Sequence, residues 1–105
     1  MLMPNLEKGI SLTEYIYRIF ETNEYLKHFS KFDKHDFEFI QNKLTSYVYP
    51  RLKSEPHFGN NIKKLAGYKP ETWRYRIGKY RLFYSINEQA KIVSILTVEF
   101  RKDAY

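Results

Sequence analysis

Cysteine is absent from the 105 residues of this chain, which excludes disulfides, thiolate metal sites and a thiol nucleophile. Histidine is scarce. His28, His35 and His57 are the only three, all lie in the first 61 residues, and they read as surface or capping residues. With so few soft or imidazole ligands, no metal cluster and no cofactor is expected. Glycine and proline number four each, and there is no repeat, low-complexity tract or linker. No apolar run approaches the roughly 18 residues of a membrane span. The segment Met1 to Lys8 lacks the charged head and apolar stretch of a signal peptide, so a cytoplasmic protein with no membrane partner is expected.

Aromatic residues, by contrast, are plentiful. Ten Tyr and eight Phe help to bring the hydrophobic fraction to 43%, which argues for a folded chain rather than a disordered one. The length suits one domain over 1–105, with 1–13 as a short N-terminal extension. The net charge of +6 is unevenly spread. Residues 1–61 hold eight Lys/Arg and eight Asp/Glu, whereas residues 62–105 hold ten Lys/Arg and four Asp/Glu. All of the excess positive charge therefore lies in the C-terminal part, as on a surface that meets phosphates.

Tyr15-Ile16-Tyr17-Arg18-Ile19-Phe20 is rich in aromatic and β-branched residues and predicts a first strand. Thr22 or Asn23 can cap a short helix that carries Tyr25, Leu26 and Phe29 on one side. Asp33 is the N-cap candidate of a second helix, with Phe37, Ile40, Leu44, Tyr47, Val48 and Leu52 at helical spacing. Pro50 predicts an end or kink near Tyr49. Glu55 to Asn61 reads as a loop, and the chain re-enters structure around Lys63-Lys64-Leu65-Ala66-Gly67. Two hairpin strands follow, then the turn Asn87-Glu88-Gln89-Ala90 and a last strand through Ile92-Val93-Ser94-Ile95-Leu96-Thr97-Val98. The order is β-α-α-β-β-β. It predicts an α+β fold in which two helices cover one face of a small, mainly antiparallel four-stranded sheet and leave the other face open.

The hairpin is the most informative segment. With Gly78-Lys79 as a two-residue turn, Ile77 pairs with Tyr80, Arg76 with Arg81 and Arg74 with Phe83. Arg74, Arg76 and Arg81 then share one face. Trp73, Tyr75, Ile77, Tyr80, Leu82, Tyr84 and Ile86 share the other, where they suit a core better than a stacking platform. Like charges directly opposite one another weaken a strand pair, so an Arg76–Arg81 pair points to selection for an anion rather than for stability.

Three segments together resemble the RelE/ParE toxins of bacterial and archaeal type II toxin–antitoxin pairs. They are Lys63-Lys64-Leu65-Ala66-Gly67, the hairpin from Trp73 to Arg81, and the ending Val98-Glu99-Phe100-Arg101-Lys102-Asp103-Ala104-Tyr105. The resemblance runs from about Tyr15 to Tyr105. It implies a RelE-like fold and, for the RelE branch, a metal-independent endoribonuclease that enters the ribosomal A site and cuts mRNA. Its implied partners are the ribosome, mRNA and a cognate antitoxin, a small acidic protein encoded by the adjacent gene.

Position by position, the resemblance assigns catalytic roles to Arg76, Arg81, Arg101 and Tyr105. Arg74, Lys63, Lys64, Lys79 and Lys102 are the implied RNA and phosphate contacts. The reaction it implies is attack of a ribose 2′-OH on the adjacent phosphate, leaving a 2′,3′-cyclic phosphate. That needs a base for the hydroxyl, stabilisation of the phosphorane charge and a proton for the 5′-oxygen. Arginine suits the second task through forked donation to phosphate oxygens, and it does not serve as a base. Relatives with lysine in the first basic strand, or histidine before the final arginine, differ from this chain, which has Arg74, Arg76 and Phe100 there. Tyr105, Lys102, Glu99 and a terminal carboxylate remain open as the base. Two alternatives accompany this reading: a ParE-type inhibitor of DNA gyrase, and a weak or inactive relative that binds only RNA or an antitoxin.

Overall fold

The computed structural model describes residues 15–100; the 1–13 extension, Arg101, Lys102 and Tyr105 lie outside the described residues. The hairpin register is the one expected. Strand β3 (Thr72–Ile77) and strand β4 (Tyr80–Asn87) are antiparallel, with Ile77 opposite Tyr80, Arg76 opposite Arg81 and Arg74 opposite Phe83. Gly78 has φ +57° and Lys79 has no positive φ. That combination belongs to the II′ turn, whose twist matches that of a hairpin and whose first position favours glycine.

Among the described residues the sheet has five strands in the order β1-β5-β4-β3-β2, one more than the four expected. The additional strand is β2 (Ile62–Leu65), antiparallel to β3. Its sequence, Ile-Lys-Lys-Leu, has no two-residue alternation, so the usual strand signal is missing. Strand β1 (Arg18–Glu21) runs parallel to β5 (Ile92–Phe100), and every other pairing is antiparallel. β1 starts later than expected because the Tyr17 N–H donates to Lys53 O at 2.9 Å. The chain there is tied to the helical layer before it reaches the sheet.

Both expected helix caps are present. Thr22 Oγ1 accepts from the Tyr25 N–H at 3.2 Å ahead of α1 (Asn23–Phe29), and it donates to Ile95 O at 2.6 Å. Asp33 accepts from the Asp36 N–H at 2.8 Å ahead of α2 (Lys34–Lys43). Helical structure does not end near Tyr49. A π-helical segment, Leu44–Val48, leads into α3 (Tyr49–Ser54), with the Tyr49 N–H donating to Leu44 O. The wider i→i+5 turn stands just ahead of Pro50, where a regular α-helix would need an N–H that proline lacks.

The helices cover one face of the sheet. Ile40, Leu44, Val48 and Leu52 are buried with Tyr25 and Phe29 against Ile77, Tyr80, Leu82, Tyr84, Val93, Ile95 and Val98. Buried tyrosines keep a partner for their hydroxyls, as burial requires. Tyr84 donates to Pro56 O at 2.7 Å and Tyr80 to Asp36 Oδ1 at 2.5 Å. On the same side of the sheet, His57 closes the loop before β2. Its Nδ1 is 2.8 Å from Glu55, its Nε2 contacts Glu88, and its ring meets Trp73 edge-on at 5.4 Å. The Tyr17 hydroxyl donates to Glu88 at 2.9 Å and helps hold that carboxyl below its usual range.

Tyrosine burial predicts an alkaline limit to stability. Desolvation, together with the hydrogen bond to Asp36, pushes the Tyr80 hydroxyl from 10.0 up to about 12, and burial pushes Tyr25 to about 12 as well. A raised native pKa stabilises the fold fully below the unfolded value and is lost as pH rises through the native one. Urea midpoints should therefore fall as pH climbs from about 10 to about 12, and less steeply in Tyr80→Phe. An equal slope in that variant would remove Tyr80 from the account.

Candidate nucleic-acid interface

The face away from the helices carries the arginines. Across β2, β3 and β4, Lys63 stands opposite Arg74, Arg74 opposite Phe83, and Arg76 opposite Arg81. Paired residues point to the same side of a sheet, so Lys63, Arg74, Arg76, Arg81 and Phe83 form one contiguous basic surface around an aromatic ring. Arg76 is exposed and Arg81 half-buried. The Arg81 guanidinium lies 5.9 Å from the Phe83 ring centroid, and its Nη2 is 4.0 Å from Glu99 Oε1.

A β-bulge completes this face. Phe83 pairs with Thr97 but Tyr84 pairs with Ile95, leaving Leu96 as the extra residue of β5. Such a bulge re-aims the side chains that follow it. Ile95 and Val98 are both buried in the core although three residues apart. Thr97 and Glu99 consequently join Phe83 and Arg81 on the open side. Phe83, Thr97 and Glu99, with Tyr68, Thr72 and Leu96, line an open depression of about 270 Å³ beside the arginines.

The other expected site residues are placed differently. Lys64 pairs with Trp73 on the helix-facing side, where its Nζ is 3.0 Å from Glu71 and 5.8 Å from the Trp73 ring centroid. Lys79 is exposed in the hairpin turn. Arg101, Lys102 and Tyr105 lie outside the described residues. Trp73, Tyr75, Tyr80 and Tyr84 belong to or pack on the core, as their alternation implied.

Three residues that the sequence did not single out flank the basic surface. Phe83 offers a ring to a base. Thr97 offers a hydroxyl. His28, from α1, reaches the Thr97 Oγ1 with its Nδ1 at 2.5 Å, and its Nε2 is 3.4 Å from Glu24. Forked guanidinium donors beside a half-buried ring can grip a phosphodiester and stack its base.

Residues 22–105 match the family model described as ParE toxin of type II toxin-antitoxin system, parDE. The chain belongs to this family. Three solved structures of similar fold are RelE proteins. The archaeal RelE–RelB complex from Pyrococcus horikoshii OT3 gives a TM-score of 0.62 at 24% identity, over 83% of this chain and 97% of that one. RelBE2 from Mycobacterium tuberculosis also gives 0.62 at 24% identity, over 81% and 98%. The isolated Escherichia coli RelE toxin gives 0.58 at 22%, over 82% and 85%. No curated protein matches the chain by sequence. The toxin is thus a member of the ParE toxin family whose fold is similar to that of solved RelE proteins.

Facing arginines give a direct test of what this surface was selected for. Directly opposed like charges destabilise a strand pair by roughly 0.2–1 kcal/mol, so Arg76→Gln should leave the toxin as stable or slightly more stable in urea at low salt. Added salt should shrink the difference, because the repulsion is between solvent-facing groups. A variant that unfolds at clearly lower urea would make Arg76 a structural residue instead.

Proposed function

We propose that the toxin is a metal-independent endoribonuclease that cuts mRNA in the ribosomal A site by 2′-OH attack and so arrests translation. The observation that carries this reading is the register of Lys63, Arg74, Arg76 and Arg81 on one open face around Phe83. In this reading Arg76 and Arg81 stabilise the phosphorane charge, and Arg74 and Lys63 hold flanking phosphates. Arg101 and Tyr105 complete the site from the end of the chain. Lys79 and Lys102 add to the field that draws RNA in, and Lys64 does so from the opposite side of the sheet. The cell compartment is the cytoplasm, where translation takes place.

A cognate antitoxin belongs to the same reading. The similar structures are a RelE–RelB complex from Pyrococcus horikoshii and a toxin–antitoxin complex from Mycobacterium tuberculosis, and a small acidic protein from the adjacent gene would neutralise this basic face. The ParE name of the matching family model favours a second reading, inhibition of DNA gyrase.

Expression of the toxin alone should stop bacterial growth, and co-expression of the neighbouring acidic protein should restore it. Primer extension should then find cuts within translated frames that vanish when initiation is blocked. Arg81→Gln should keep the fold but lower cleavage by about 10²–10³, the usual cost of one charged transition-state contact. Intact mRNA together with gyrase-dependent DNA breaks would favour the second reading, and unimpaired growth at verified expression would leave an inactive relative.

A further inference from the structure

Among the described residues, neither the arginines of this face nor Glu99 is placed to take a proton from a 2′-hydroxyl. Arginine stays protonated, and Glu99 is already turned toward Arg81. An imidazole does reach this face, from the helical layer. His28 stands on α1, which packs along β5, and its Nδ1 meets the Thr97 hydroxyl while its Nε2 faces the Glu24 carboxylate at ion-pair distance. A carboxylate beside Nε2 favours the tautomer with hydrogen on that nitrogen, which leaves Nδ1 as an acceptor. The Thr97 O–H then donates to His28, and the lone pairs of its oxygen are left for a third partner.

That partner would sit in the depression that Thr97 lines. Thr97 stands opposite Phe83, and Phe83 lies two residues from Arg81 on the same strand. Thr97 and Arg81 are thus diagonal neighbours, typically about 7–8 Å apart. A phosphate held by Arg81 with its base on Phe83 brings the ribose between them, beside Thr97. We infer that Glu24, His28 and Thr97 form a proton relay in which Thr97 meets the ribose 2′-hydroxyl and His28 acts through it as the base. The inference rests on the endoribonuclease reading above.

The step balances without a cofactor. The 2′-hydroxyl passes its proton to Thr97 Oγ1 as the Thr97 proton moves to His28 Nδ1. The 2′-oxygen forms its bond to phosphorus and the bond from phosphorus to the 5′-oxygen breaks. That oxygen takes a proton from water, and the hydroxide so formed is neutralised by the proton on His28. No electrons change hands. The Glu24 carboxylate, on its own helix, faces the imidazole, and Glu99 on β5 faces Arg81. α2 meets α1 through Phe37 stacked on Phe29.

The test is single-turnover cleavage of mRNA on programmed ribosomes by purified toxin, measured against pH with ribosome binding in parallel. His28→Gln and Thr97→Val should each bind ribosomes normally and cleave about 10²–10⁴ times more slowly, the range for general acid–base catalysis. The fall in rate on the acid side of the pH profile should disappear in both. Thr97→Ser should retain most of the rate, and added imidazole should restore part of it to His28→Ala, which also shows that this variant is folded. Wild-type rate and pH profile in His28→Gln would overturn the relay while leaving the nuclease reading in place. A rate loss with the acid limb intact would make the His28–Thr97 contact a strut between α1 and β5, and would overturn it equally. Absence of cleavage by the wild-type toxin would defeat the nuclease reading and the relay with it.

Discussion

Everything at the candidate site depends on the register of the β3–β4 hairpin. A slip of one residue would exchange the two faces of the slipped strand and send either Arg76 or Arg81 into the core. What prevents it is the apolar set on the other side: Ile77, Tyr80, Leu82 and Tyr84 are all no more than 6% exposed. Burying one such side chain is worth about 1.5–3 kcal/mol, whereas the Arg76–Arg81 repulsion costs at most about 1 kcal/mol. The core therefore sets the register and the basic face tolerates its own repulsion. Gly78, by taking the positive φ of the turn, lets the strands pair without shifting that balance.

This division explains why the hairpin could be read from the sequence while its surroundings were less accessible. Alternation, a Gly-Lys turn and helix caps at Thr22 and Asp33 are local signals, and each corresponds to a local feature of the fold. β2 has no such signal, because Ile62 and Leu65 enclose two lysines and the strand is held by its pairing to β3. The β5 bulge is hidden for a different reason. Strict alternation from Ile95 would send Thr97 and Glu99 to the core and Val98 to solvent. The cue was present, since two polar residues in that phase cannot be buried cheaply, and only a displaced residue between Ile95 and Thr97 resolves it.

Helix geometry solves a related problem. Ile40, Leu44, Val48 and Leu52 follow one another at intervals of four, and in a regular α-helix of 3.6 residues per turn such a row drifts steadily around the axis. The π-helical segment from Leu44 to Val48 widens the turn where the drift would otherwise expose the row. All four residues stay on the sheet. Proline's missing N–H is accommodated by the same device, so the feature that seemed to end the helix instead marks where its winding changes.

The sheet's unequal strand lengths connect this scaffold to the chemistry. β1 pairs with β5 only as far as Glu21 opposite Ile95, while β5 continues to Phe100. Beyond Ile95 the outer edge of β5 is open to α1, whose cap residue Thr22 is bound to Ile95 O at that boundary. The bulge falls immediately after it. Thr97 is therefore the first residue that both faces the arginines and lies on an edge that a helix can reach, and His28 is the residue of α1 that reaches it. A sheet rich in guanidinium groups can bind and stabilise a phosphate, but a guanidinium cannot accept the proton of the attacking 2′-hydroxyl. The point where β1 ends is where the helical layer can supply that missing function.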